Sequence, residues 1–198
     1  MSDQPTSILP GGGGFGSPEP ATTRPNRRPL TWNPGTDVGL LLLRLAVGGT
    51  FFAHGMQIVT GMWGGQGVAE FTRVLEGLGY QQPQVLAWVA GLTALVGGGL
   101  VVLGFLTPIA AAGLLALMIN SVALRFGNGF FIASPAGANA VELDVVLGTA
   151  AAALALTGAG RIAIDKGRTW NLRPAPWGVL ALVVGVTAAV LVLLLLRR

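Results

Sequence analysis

The sequence predicts an all-α polytopic membrane protein, built as a four-helix transmembrane bundle followed by a fifth, C-terminal transmembrane helix. Three observations carry that prediction. Of 198 residues, 52% are hydrophobic and 10% charged, where a soluble domain carries about a quarter charged residues, so a water-facing surface cannot be assembled. Mean hydropathy is +0.68, and the apolar residues fall into runs close to the roughly twenty that cross a bilayer. Between the runs stand Gly, Pro and charged residues, where chain reversals at a membrane surface belong.

Residues 1–36 hold Gly11 to Gly14 and Pro5, Pro10, Pro18, Pro20, Pro25, Pro29 and Pro34, with few apolar side chains to bury. A disordered Gly/Pro-rich tail is expected there. Its Gly-rich piece is no phosphate loop, because no strand precedes it and no Gly-Lys-Ser/Thr closes it. A cleavable signal peptide is not expected either, since the first apolar run is too long for the apolar region of one. That run, Val38 to Val59, would rise about 33 Å as a helix and cross a hydrocarbon core of about 30 Å.

The polar stretch over residues 60–84 places Val68, Phe71, Leu75 and Leu78 at helical spacing opposite Glu70, Arg73 and Glu76, which predicts a short amphipathic helix at the interface. Val85 to Leu106 and Ile109 to Leu124 then form two spans, with Thr107-Pro108 as the tight connection of a helical hairpin. Gly91, Gly97, Gly98, Gly99, Gly104 and Gly113 supply small surfaces for close helix packing. Arg125 to Ala140 reads as a loop. Val141 to Thr157 is a short fourth span that opens with Glu142 and Asp144 and ends at Gly158 and Gly160. A basic stretch with Arg161, Lys166, Arg168 and Arg173 leads to the fifth span, Trp177 to Leu196, and Trp170 and Trp177 suit an interfacial aromatic belt. The organisation is thus a tail over 1–36, a four-helix domain over 37–166, and a basic linker with the fifth helix over 167–198.

The net charge of +4 arises from basic residues at the ends of apolar segments and forms no stripe interleaved with aromatics, so nucleic acid is not an expected partner. The lipid bilayer is. With no cysteine and one histidine, the chain has no thiolate, iron–sulfur or bis-histidine haem ligand set, and no metal is expected. Arg24, Arg27, Arg28, Arg161, Lys166, Arg168 and Arg173 share one side of five spans, and Arg73, Arg125, Arg197 and Arg198 share the other. The larger basic set predicts a cytoplasmic N-terminus and an outward C-terminus.

A charge at the centre of a spanning helix costs about 2.5–3.5 kcal/mol on the insertion scale, so such residues turn inward and find partners. Arg44, Gly48, Phe51 and Gly55 share one stripe of the first helix, with His54 about 80° to one side. Arg44 is expected to reach Asp165 or helix-end carbonyls after the fourth span, or to extend toward the surface. By depth, His54 is expected to pair with Glu142 or Asp144, and Asn120 either joins that polar cluster or makes an interhelical hydrogen bond. Glue between helices, proton transfer and quinone binding are all open to this set.

Three stretches resemble the DoxX family of bacterial membrane proteins, related to a subunit of thiosulfate:quinone oxidoreductase. The first is LLLRLAVGGTFFAHGMQ, Leu41 to Gln57. The second is the glycine-rich hairpin VAGLTALVGGGLVVLGFLTPIAAAGLLALM. The third is VELDVVLGTAAAALALTGAGRIAID, Val141 to Asp165, with an acidic start and a Gly158-x-Gly160-Arg161-x-x-x-Asp165 ending. The resemblance covers about residues 38–166 and implies a multi-pass protein of the bacterial cytoplasmic membrane. It further implies a subunit of a quinone-linked or respiratory oxidoreductase assembly without redox centres of its own, with membrane or soluble redox proteins as partners. Arg44, His54, Glu142 and Asp144 would then contact a quinone headgroup or relay protons, and no cofactor would be bound covalently. Two other functions compete: a non-catalytic scaffold or assembly protein, for which the shortage of ionisable side chains argues, and a small-molecule transporter, which lacks half-helix interruptions or an inverted repeat in its support.

Overall fold

The computed structural model describes residues 34–133, 137, 140–168, 170 and 174–197. Residues 34–36 of the expected tail open the first helix, where proline suits a position whose N–H has no helical acceptor. The rest of the expected tail lies outside the described residues. Among the described residues six α-helices follow in order: α1 Pro34–Thr60, α2 Gly67–Gly77, α3 Pro83–Leu103, α4 Thr107–Arg125, α5 Glu142–Thr157 and α6 Pro174–Leu195. Short 3₁₀ turns cover Met62–Gly64 and Phe126–Asn128.

Among the described residues, α1, α3, α6 and α4 with its 3₁₀ extension are the four helices long and apolar enough to cross a membrane. The expected fourth span is shorter than its companions. With 16 residues, α5 rises about 24 Å against a hydrocarbon core of about 30 Å. Contacts between helix ends show that the bundle helices alternate in direction. One end of the bundle, here the near end, gathers the start of α1, the α3–α4 turn and the finish of α5. The far end gathers the finish of α1, α2, the start of α5 and the finish of α6.

Glycine decides which helices touch most closely. A Cβ on Gly98 would sit 2.5 Å from the Phe52 backbone nitrogen and 2.7 Å from the Gly48 carbonyl oxygen, and one on Gly55 would overlap the Leu95 backbone. The backbones of α1 and α3 therefore meet along a seam that only hydrogen side chains permit. On the other side of the bundle, Gly185 of α6 would meet the Ala112 carbonyl of α4 at 2.7 Å if it carried a Cβ. Phe51, Ala94, Val101, Leu114, Ala151 and Leu154 fill the space between these helices.

The hairpin connection lies one turn earlier than expected. Thr107 and Pro108 open α4, and Gly104, Phe105 and Leu106 make the reversal. Proline cannot donate a helical hydrogen bond, which is harmless in a first turn and would be costly elsewhere. Gly104 takes φ +67°, a left-handed cap open to glycine without strain.

The amphipathic reading of α2 holds. Leu75 is buried with Tyr80 and Ala87, and Val68, Phe71 and Leu78 pack against them, while Arg73 and Glu70 pair on the exposed face at 2.5 Å. Backbone pairing then ties this region to the end of α6, where Gln81 N donates to Leu196 O at 2.9 Å. Burial pushes the Tyr80 phenol upward from its ordinary value, and the Arg197 charge partly opposes that. A raised phenol favours the folded state while neutral, so its contribution is full below about pH 10 and is lost as pH rises through the higher folded value. Unfolding titrations at pH 8 and pH 11 should show a smaller alkaline loss for Tyr80→Phe than for the parent.

Candidate functional site

Ionisable side chains gather at both ends of the bundle, and the two clusters have different characters. At the near end, Arg44 is 1% exposed and lies two to three turns into α1. Its Nη2 donates to the carbonyl oxygen of Ile162, in the loop that follows α5. This is the expected helix-end carbonyl partner, and it exists because the loop folds back across the mouth of the α1–α3 seam. Gly160 turns that loop at φ +75° and leaves room for Leu40 and Asp37 beneath it. Asp37 Oδ1 accepts from Arg161 N at 2.9 Å. Ile164 N and Asp165 N donate to the carbonyls of Leu103 and Gly104 at 3.3 and 3.1 Å. Gly158 closes α5 with its N–H on Leu154 O. The loop carrying Gly158, Gly160, Arg161 and Asp165 is thus a staple joining α5, α1 and the α3–α4 turn through backbone hydrogen bonds.

At the far end, the last turn of α4 meets the first turn of α5. Asp144, 7% exposed, accepts from Ser121 Oγ at 2.9 Å, and Arg125 Nη2 lies 3.1 Å from its Oδ2. Ser121 also accepts from Arg125 Nη2. Helix electrostatics favour this placement, since a cation ends α4 and an anion begins α5. Beside the triad a groove of 510 Å³ opens between Leu115, Met118 and Val122 of α4 and Asp144, Gly148 and Ala152 of α5. A Cβ on Gly148 would meet Met118 Cβ at 3.1 Å, so the glycine lets α5 approach α4 closely beside the groove. An apolar trough with one fixed polar group suits a ligand with a lipophilic body and a hydrogen-bonding head.

The polar cluster expected around His54 does not assemble. His54 is exposed, and its Nδ1 bonds with Gln57 Oε1 on its own helix at 3.2 Å. The reason is the glycine seam: Gly48 and Gly55 turn toward α3, and the neighbouring face with His54 turns outward. Glu142 Oε2 accepts from Ile132 N at 3.1 Å and so holds the preceding loop. Asn120 donates to Ala116 O at 3.0 Å and to Ala189 O at 3.5 Å, joining α4 to α6. Arg44 stands at the opposite end of the bundle from Asp144. Sequence reasoning missed Ser121 and Arg125 as partners of Asp144, although their four-residue spacing places both on one face at the end of α4. His54→Phe should therefore change unfolding free energy by less than about 0.5 kcal/mol, as read from a denaturant titration in detergent.

A quinone was the ligand implied by the resemblance, and its chemistry can be set against the groove. Its ring carbonyls accept hydrogen bonds, and Arg125, whose bonds to Ser121 and Asp144 use Nη2, has further N–H donors on Nη1 and Nε. Its ring and tail are apolar, as is the trough. The donor set fits. No curated protein and no solved structure matches the chain. The family model of DoxX matches residues 39–127, which takes in the first two of the three resembling stretches, nearly all of α1, and α2, α3 and α4. Residues 39–127 are thus similar to the DoxX family, and the four long apolar helices fit a multi-pass membrane protein.

Proposed function

We propose that this protein is a membrane subunit of a quinone-linked oxidoreductase assembly, supplying a quinone-binding groove while redox centres reside in partner proteins. The observation that carries the reading is the α4–α5 groove lined by Asp144, whose carboxylate Ser121 and Arg125 contact. Arg125 would donate to a headgroup carbonyl, Asp144 and Ser121 would hold that guanidinium in place, and the trough would exclude water around the ring. When bound, a quinone supplies two-electron carrier chemistry. On the distribution of Lys and Arg, the near end faces the cytoplasm and the groove lies toward the outer leaflet of a bacterial cytoplasmic membrane.

The test is photolabelling of the full chain in lipid nanodiscs with an azidoquinone. Label should concentrate in peptides covering residues 115–123 and 144–152, fall with unlabelled quinone, and resist excess phospholipid. Ala152→Phe, which fills the trough, should reduce it by about tenfold, equivalent to about 1.4 kcal/mol of binding. Labelling spread evenly over all helices, or equally displaced by phospholipid, would remove the quinone assignment.

One observation favours a non-catalytic scaffold instead: the near-end loop residues are engaged in backbone hydrogen bonds that hold helices together. Under that reading, redox proteins co-purify in mild detergent with the Ala152→Phe variant as well as with the parent, while neither protein takes up the photolabel.

A further inference from the structure

Five polar atoms around the α3–α4 turn are sealed from solvent and have no hydrogen-bond partner among the described residues. They are Nε and Nη1 of Arg44, Oγ1 of Thr107, and Oδ1 and Oδ2 of Asp165. Arg44 is 1% exposed, and Thr107 and Asp165 are both at 0%. The two charged groups are opposite in sign, yet no hydrogen bond joins them. Gly104 is the neighbour they share. Arg44 Nη1 lies where a Gly104 side chain would begin, and Asp165 N donates to the Gly104 carbonyl at 3.1 Å. Thr107 stands three residues further on, in the first turn of α4.

A sealed carboxylate with no hydrogen bond is among the least tolerable groups in a folded protein, and a guanidinium with orphaned N–H donors follows closely. Whatever satisfies them must do three things at once. It must accept from the guanidinium, which only donates; it must donate to an ionised carboxylate, which only accepts; and it must suit a hydroxyl, which does both. An inorganic anion would stand against Asp165 and a metal cation against Arg44. The formal charge of the pair is zero, so the complement is a neutral molecule able to donate and accept. It must also be small, because α1, the α3–α4 turn and the loop after α5 enclose the place on three sides.

We propose that the near end of the bundle holds ordered water that bridges the Arg44 guanidinium to the Asp165 carboxylate, with Thr107 Oγ1 as a third ligand. Water in such a site makes two to four hydrogen bonds and belongs to the structure. The bridge extends the staple after α5. The loop is fastened to α1 by the Ile162 carbonyl on one side of Gly104 and by a water-mediated ion pair on the other. The site is separate from the far-end groove and does not depend on what that groove binds.

The test is an experimental map of the full chain in nanodiscs at a resolution that shows water, with five variants measured beside it. A peak within about 3.2 Å of both an Arg44 nitrogen and an Asp165 oxygen is expected. Thr107→Val, which removes the hydroxyl and keeps the shape, should lower the folding equilibrium constant about tenfold, and Thr107→Ser should restore most of it. In a double-variant cycle, Arg44→Met with Asp165→Leu should be non-additive by about tenfold or more in that constant. A map in which guanidinium and carboxylate touch directly, or in which an ion occupies the place, overturns the proposal. So does an additive cycle, or a Thr107→Val protein as stable as the parent.

Discussion

Replacing Arg44 by methionine is expected to destabilise the folded protein by about 3–5 kcal/mol, the range for removing one member of a buried charged pair. Two effects oppose each other. Taking a guanidinium out of the bundle relieves an insertion cost of about 2.5–3.5 kcal/mol, which alone would favour the variant. Against it, Ile162 O loses its charged donor and Asp165, whose fully buried carboxylate has no hydrogen bond among the described residues, loses the positive charge of Arg44 across Gly104. The second effect wins because the orphaned carboxylate stays sealed while the relief on Arg44 is already partly spent on the Ile162 bond. Arg44→Lys should not restore the parent, since one ammonium lacks the planar fork that serves a carbonyl and its surroundings together. Denaturant titration of both variants in detergent measures the difference, and a methionine variant within 1 kcal/mol of the parent would contradict the assignment.

Gly98→Ala should be the second large loss, about 2–3 kcal/mol, and it isolates packing from charge. The added methyl would lie 2.5 Å from the Phe52 nitrogen and 2.7 Å from the Gly48 oxygen. Both are helix backbone, so no side chain can swing aside and α1 must move away from α3. Overpacking of this kind costs about 1–3 kcal/mol and occasionally more. Alanine regains about 1 kcal/mol of helix propensity over glycine, which is too little to offset contact with two backbone atoms. Gly49 provides the control on the adjacent face, where a Cβ would meet nothing within 4 Å. Gly49→Ala should therefore be neutral or slightly stabilising in the same titration. Equal behaviour of the two alanine variants would mean that α1 and α3 are not joined along Gly48, Gly55 and Gly98.

Composition and periodicity alone determined that this chain is helical and suited to a membrane. A polypeptide 52% hydrophobic and 10% charged leaves the bilayer as its solvent, and in hydrocarbon each backbone polar group must find its partner within its own helix. The inward stripe of Arg44, Gly48, Phe51 and Gly55 was likewise legible, because 100° per residue fixes which side chains share a face whatever the helix packs against. So was the amphipathic face of α2. Periodicity says nothing, however, about which other helix a face will meet. His54 and Asp144 were matched by depth, and depth is one coordinate of three. The tertiary fold supplied the other two: the α1–α3 glycine seam rotated His54 outward, and the meeting of α4 with α5 gave Asp144 to Ser121 and Arg125. The carbonyl partner of Arg44 after α5 was expected from the sequence, but the return of that loop across Gly104 was decided in three dimensions, since its contacts with the α3–α4 turn run between backbone groups that every residue possesses.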